Sequence, residues 1–302
     1  MVKRFSASIA LAAVCSAAPG LAHAQPADEA VWATHLATEY RVVSDVTYLT
    51  TSNWEGQVDL YLPRNADGPT PTVLYFHGGF WVRGNKNGSV LNVMPYLEMG
   101  WAVVNVAYRL GQVSRAPAAV EDCLCALRWV VRNAEQYNFD VSRIVTTGHS
   151  AGGHLSLMTG MVPAAAGLDR QCAGGEPLTV AAIVNWFGPT DVGDLLGGPN
   201  LRNPVVEWFG STPDRMAIAL RVSPLTYVRG DLPPILTIHG DADPVVPYQH
   251  AVRLHQALDR VGAVNQLHTV PGGGHGGFSR EQTVTITDTI HQFLRARGLA
   301  GK

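Results

Sequence analysis

The sequence predicts a doubly wound α/β fold, a mostly parallel sheet that begins with antiparallel strands and carries helices on both faces. Two observations carry that prediction. Thr72–Phe76, Ala102–Val106, Arg143–Thr146, Val180–Val184 and Pro234–Ile238 are short, nearly continuous apolar runs, the pattern of strands buried on both faces. Helix-period segments lie between or after them, at Ala116–Gln136, Ala151–Gly160, Tyr248–Val261 and Gln282–Arg297.

Taken in chain order, the first segment reads as a leader. Lys3 and Arg4 are followed by an apolar run from Phe5 to about Ala18, and Ala22-His23-Ala24 offers the small residues a signal peptidase requires. Residues 1–24 are therefore expected to be a signal peptide cleaved after Ala24, which sends the protein to the periplasm or outside the cell. The apolar run is shorter than the roughly 20 residues that span a bilayer, so no stable membrane insertion is expected. About 278 residues remain, enough for one large domain over 25–302 with a substantial core. Residues up to about Val42 read as leader and surface segment. Val46–Leu49 and Gln57–Leu62 then read as strands, the second alternating polar with apolar until Pro63 ends it.

The stretch 191–224 interrupts the alternation. It is rich in Gly, Pro and Asn, with short helical possibilities at Val205–Phe209 and Pro213–Leu220. A cap-like insertion over the carboxyl edge of the sheet is expected there. The net charge of −2 and the absence of a basic cluster exclude nucleic acid as a partner. Beyond the leader stand Cys123, Cys125 and Cys172. In an oxidising compartment one bridge is expected, from Cys123 or, in preference, Cys125 to Cys172. His149 and His154 lack the i, i+4 spacing of a helical zinc pair, so neither a metal nor another cofactor is expected.

The chemistry centres on Gly148-His149-Ser150-Ala151-Gly152, between a β-branched run and a helix-forming one. A serine hydroxyl is a weak nucleophile without an adjacent base, and Gly-x-Ser-x-Gly presents one on a sharp strand-to-helix turn. His77-Gly78-Gly79-Phe80-Trp81 follows the Thr72–Phe76 run at once. Its backbone N–H groups, with that of Ala151, are candidates to hold an oxyanion. Two further polar residues stand on loops just past strands, where open α/β sheets bind ligands. Asp243 lies in His239-Gly240-Asp241-Ala242-Asp243, and His275 is flanked by glycines in Gly273-Gly274-His275-Gly276-Gly277. Asp241 is nearer the strand end and reads as capping its turn, which leaves Asp243 as the acid. His77 and His239 are expected to fix loops by hydrogen bonds. Trp81, Trp186 and Trp208 sit near the functional edge and are candidates for an aromatic substrate pocket.

Together "HGGFW", "GHSAGG", "HGDADPVVP" and "GGGHGGF" resemble the α/β-hydrolase superfamily. More narrowly they are similar to secreted bacterial carboxylesterases of the acetylxylan and feruloyl esterase type, near the hormone-sensitive-lipase and prolyl-oligopeptidase-like branches. The resemblance runs from about Val46 to Leu299. It implies a serine hydrolase that cleaves short-chain acyl or aromatic esters, on small molecules or polysaccharides, through an acyl-enzyme. Ser150 is then the nucleophile, His275 the base and Asp243 the acid, with oxyanion donors at Gly79, Phe80 and Ala151. The sequence departs from His-Gly-Gly-Gly at Phe80, which leaves the second donor open between Gly78 and Phe80. A prolyl-oligopeptidase-like peptidase and a non-catalytic binding module on the same fold are the alternatives.

Overall fold

The computed structural model describes Thr34 and residues 38–299, so the expected leader lies outside the described residues. The chain opens with a hairpin, β1 (Tyr40–Thr51) and β2 (Trp54–Pro63), turning at Ser52 and Asn53, both at positive φ. β1 starts earlier than the sequence pattern suggested. The cause is Tyr40, whose ring is buried and whose hydroxyl donates to the Leu97 carbonyl at 2.8 Å.

Then follow β3 (Thr70–Phe76), a 3-10 segment (Lys86–Val93), α1 (Met94–Glu98), β4 (Ala102–Val106), α2 (Ala118–Arg132), α3 (Ala134–Tyr137) and β5 (Phe139–His149). After these come α4 (Ala151–Met161), β6 (Ala182–Trp186), α5 (Asn203–Phe209), α6 (Arg215–Arg221), β7 (Ile235–Gly240), α7 (Gln249–Arg260), β8 (Asn265–Val270) and α8 (Arg280–Arg295). The strands form one sheet in the order β1-β2-β4-β3-β5-β6-β7-β8. Pairing is antiparallel from β1 to β4 and parallel from β4 to β8.

Successive strand residues point to opposite faces, and the two faces bury separate cores. Leu74 and Phe76 pack with Val104, α2 and α4 on one side. Val73 and Tyr75 pack with Val103, Tyr96, Ile290 and Phe293 on the other. Every residue of β3, β4, β6 and β7 is buried, which is why those runs carry no Asp, Glu, Lys or Arg.

Two further elements differ from the sequence pattern. The helix expected over Ala116–Gln136 breaks at Asn133, whose side-chain amide and backbone N–H both donate to the Trp129 carbonyl. A polar side chain that competes for helix carbonyls ends a helix in this way. The helical segment from Lys86 to Glu98 has no apolar period to reveal it. It is tied down instead by Lys86, whose buried ammonium sits 2.7 Å from both Asp45 and Asp59.

The stretch 191–224 holds α5, α6 and two short 3-10 turns, close to the expected helices. Val192, Leu195, Val205, Trp208, Ala219 and Val222 are wholly buried in the larger core. Arg202 reaches from it to the carbonyls of Pro244 and Val245, beside Asp243.

Cys125 bridges Cys172, and Cys123 is a buried free thiol. The bridge ties α2 to the segment after α4 across 47 residues of chain. Closing such a loop removes denatured-state freedom. Cys125→Ser with Cys172→Ser is therefore expected to cost about 2–4 kcal/mol, read as a lower thermal midpoint. An unchanged midpoint would exclude this role for the bridge.

Candidate active site

β5 delivers its last residue, His149, to the carboxyl edge of the sheet, and Ser150 turns the chain into α4 with φ 58° and ψ −118°. Such dihedrals are strained for a residue with a Cβ and persist only where the surroundings enforce them. Here the Ser150 N–H donates to the Trp186 carbonyl at 2.9 Å, and its own carbonyl accepts from the His154 N–H at 3.0 Å. The glycines supply clearance. A Cβ on Gly152 would collide with the Phe76 carbonyl, and one on Gly148 would strike the same oxygen and Gly152 itself. Gly152→Ala is thus expected to destabilise by about 3 kcal/mol, measured by denaturant unfolding. A loss near zero would mean that β3 and α4 are not held at this separation.

The loop after β3 lies against this turn. A Cβ on Gly78 would stand 3.6 Å from Ser150 Cβ. Gly79, Phe80 and Trp81 all have positive φ, at 122°, 55° and 61°. The loop is pinned from behind. Tyr108 stacks on His77 with centroids 4.3 Å apart and donates to the His77 carbonyl at 2.8 Å. Burial draws His77 down to about 4, so it is neutral at neutral pH. The backbone N–H groups of Gly78, Gly79, Phe80 and Ala151 find no acceptor among the described residues.

His275 reaches Ser150 from the loop after β8. Its Nε2 is 2.8 Å from Ser150 Oγ and its Nδ1 is 2.7 Å from Asp243 Oδ2. Gly276 and Gly277, both at positive φ, let that loop turn back. Asp243 is held on both oxygens. Oδ1 accepts from the N–H groups of Val245 at 2.8 Å and Val246 at 3.0 Å, and Oδ2 also lies 3.2 Å from His239 Nε2. Burial alone would raise its pKa. The hydrogen bonds from His239 and His275 outweigh burial and hold the carboxyl well below the usual carboxylate range. Asp241 instead accepts from the Gly272 N–H at 2.7 Å and is exposed.

The residues read from sequence separate into two groups. Ser150, Asp243 and His275 meet in one chain of hydrogen bonds, and Gly79, Phe80 and Ala151 lie on the two backbone segments around the serine. The aromatic pocket needs correction. Trp81 and Trp208 are fully buried, stacked 4.2 Å apart, and the Trp81 indole donates to His154 Nδ1 at 3.1 Å. They brace 191–224 against the loop after β3, because two large rings gain more from each other than from an open cleft. Trp186 does line a cleft, of about 530 Å³, with His149, Phe187 and Phe278. Its other walls come from 91–98 and 276–288, and none from 191–224.

Sequence reasoning missed His239 as a neighbour of Asp243. Its Nε2 also faces the Val246 carbonyl at 3.0 Å, so it ties the acid loop together while donating toward Asp243. The four-residue spacing from His239 to Asp243 was the available signal. Among the described residues, no cluster of histidines, cysteines or carboxylates is arranged to hold a metal ion, and no helix is long and apolar enough to cross a membrane.

Known proteins are similar to this chain in sequence and in fold. Esterase LipC of Mycobacterium tuberculosis is 30% identical over 220 residues, covering 69% of this chain and 53% of LipC. The ethyl acetate hydrolase of Pseudomonas putida is 29% identical, covering 79% of this chain and 76% of that protein. Among solved structures, a truncated carbohydrate esterase from gut microbiota superposes with a TM-score of 0.72 at 31% identity, over 84% of this chain and 97% of that one. The chain spans about half the length of the first curated relatives it matches. A model described as TAP-like protein matches residues 219–300. A model described as BD-FAE matches residues 58–258, more than half of the chain, which therefore belongs to the BD-FAE family on the α/β-hydrolase fold.

Proposed function

We propose that this protein is a serine esterase that cleaves carboxylic esters through an acyl-enzyme. One observation carries the reading, the continuous chain Ser150–His275–Asp243 beside four unclaimed backbone N–H groups. Ser150 Oγ attacks the ester carbonyl carbon while His275 Nε2 takes its proton. Asp243 keeps the Nδ1–H tautomer and stabilises the imidazolium. The carbonyl oxygen gains the charge and is held by the N–H groups of Gly79, Phe80 and Ala151, at the positive end of α4. His275 returns the proton to the leaving alcohol. Water then repeats the sequence on the acyl-enzyme and frees the acid.

Short acyl groups and aromatic acids are the proposed substrates, free or on polysaccharide. The names of an ethyl acetate hydrolase and a carbohydrate esterase among the similar proteins support that range. The cleft beside Trp186 and Phe187 is large enough for a ring. The test is hydrolysis of 4-nitrophenyl esters of increasing chain length, methyl ferulate and acetylated xylan, with dipeptide anilides as the peptidase control. A fluorophosphonate should add to the Ser150 peptide in the mass spectrum. No ester cleaved and no adduct on Ser150 would overturn the reading, and faster cleavage of the anilides would favour the peptidase.

Residues 1–24 are proposed as an export leader, which the Cys125–Cys172 bridge supports, since such bridges persist in oxidising compartments. The mass of exported protein should place its first residue at Gln25.

A further inference from the structure

β5 ends on His149, and the imidazole of this residue forms a wall of the cleft immediately before the nucleophile. The ring is held face-on to Trp186, with centroids 4.5 Å apart at 25°, and edge-on to Phe187 at 5.5 Å. Its two nitrogens have different surroundings. Nδ1 lies 3.1 Å from the hydroxyl of Tyr75, a wholly buried residue of β3. That hydroxyl accepts from Asn92 Nδ2 at 2.9 Å. Nε2 finds no acceptor among the described residues.

One assignment of protons satisfies these contacts together. Asn92 donates to the Tyr75 oxygen, and with the phenolic proton directed at His149, Nδ1 is the accepting, bare nitrogen. The remaining proton of a neutral imidazole therefore sits on Nε2. Burial keeps both partners in these states. It raises Tyr75 to about 12, despite hydrogen bonds from Asn92 and Ser89 that lower it, and draws His149 down to about 3, with the charge of His275 acting in the same direction. Tyr75 remains a phenol and His149 a neutral imidazole throughout the working range of an esterase.

We propose that His149 is a specificity-determining donor, whose Nε2–H reads an acceptor oxygen in the half of the ester lodged in the cleft, and that Asn92 and Tyr75 set its tautomer. The inference rests on the esterase reading and narrows it. The favoured esters carry an ether, hydroxyl or carbonyl oxygen on an apolar or flat frame that packs on Trp186 and Phe187. A half-buried donor with no partner among the described residues loses its hydrogen bond to water when an apolar group covers it. It therefore selects against a ligand of the same shape that has no acceptor. Asn92 belongs to the 3-10 segment that also borders the cleft, so the wall of the pocket and the tautomer of the donor are set by one piece of chain.

Two measurements test this. The first is the ¹⁵N spectrum of the His149 ring in Ser150→Ala protein, which requires no turnover. Expected are a protonated Nε2 and a bare Nδ1 at neutral pH, with the preference lost in Tyr75→Phe. A protonated Nδ1 in the parent protein would overturn the proposal. The second uses esters in which one CH2 of the acyl or the alcohol chain is exchanged for an ether oxygen, position by position. At one position the unsubstituted enzyme should prefer oxygen over CH2 in kcat/KM. His149→Phe, which keeps a ring against Trp186, should reduce that ratio by about three- to tenfold, with Tyr75→Phe intermediate. Comparing ratios cancels the intrinsic reactivity of each ester, and the chain that responds shows which half enters the cleft. Ratios unchanged in both variants at every position would sink the inference while leaving the esterase intact. Absence of hydrolysis of every ester by the unsubstituted enzyme would instead remove the esterase reading on which it stands.

Discussion

Ser150→Ala is expected to lower kcat on 4-nitrophenyl acetate by on the order of 10⁶-fold without lowering the thermal midpoint. The size of the loss follows from what the substitution leaves behind. His275 and Asp243 remain paired and the unclaimed N–H groups remain in place, but no atom can attack the carbonyl and hold the acyl group. Residual catalysis then comes from binding and oxyanion stabilisation alone, about 10³–10⁴-fold over water. Among the described residues, Ser150 is the one hydroxyl bonded to His275 Nε2. Cys123, the free thiol, is wholly buried, and burial pushes its pKa well up, so it is neither accessible nor ionised. Stability should hold because the Ser150 side chain contributes one hydrogen bond, to His275, at a partly open site. Equal rates for the two proteins would remove Ser150 from the mechanism.

The features legible in the sequence were those whose physical cause is local. Buried parallel strands announce themselves because both faces must be apolar, and the nucleophile turn does so because residues with a Cβ do not fit at 148 or 152. That Asp243 and not Asp241 meets His275 could be anticipated because Asp241 lies nearer its strand end and Asp243 reaches further along the loop. The tryptophans were not legible in the same way. Nothing in the neighbourhood of Trp81 or Trp208 in sequence says that they stack on each other, since that contact joins the loop after β3 to α5. The cleft wall from 91–98 was hidden for a similar reason. It is held by Tyr40 at the Leu97 carbonyl and His291 at the Pro95 carbonyl, and the segment before it by Lys86 meeting Asp45 and Asp59, residues scattered over a long stretch of chain. The tautomer of His149 depends on Tyr75 and Asn92, which pairing and folding bring together and spacing does not.

Asp243→Asn should reduce kcat/KM by on the order of 10⁴-fold, whereas Asp241→Asn should change it by no more than about twofold. The contrast comes from what each carboxylate accepts. The Asn amide oxygen at 241 can still accept from the Gly272 N–H, so the exposed turn keeps its bond. At 243 the amide oxygen can satisfy the Val245 and Val246 N–H groups, which places the NH2 where Oδ2 now stands. That NH2 then faces His275 Nδ1 at 2.7 Å and His239 Nε2 at 3.2 Å. A donor there forces His275 to offer a bare Nδ1 and to move its proton to Nε2, directly opposite Ser150 Oγ. The base then points a proton at the group it must deprotonate, and the imidazolium also loses its counter-charge. Turning the amide over does not restore the arrangement, because the NH2 would then oppose the two backbone N–H groups. His239 makes the site less forgiving still, since its Nε2 donates toward the same Oδ2 and the Val246 carbonyl. Kinetics of both variants, with circular dichroism to confirm that each is folded, decide the matter. Comparable activity in the two would mean that the carboxylate charge at 243 is not what orients His275.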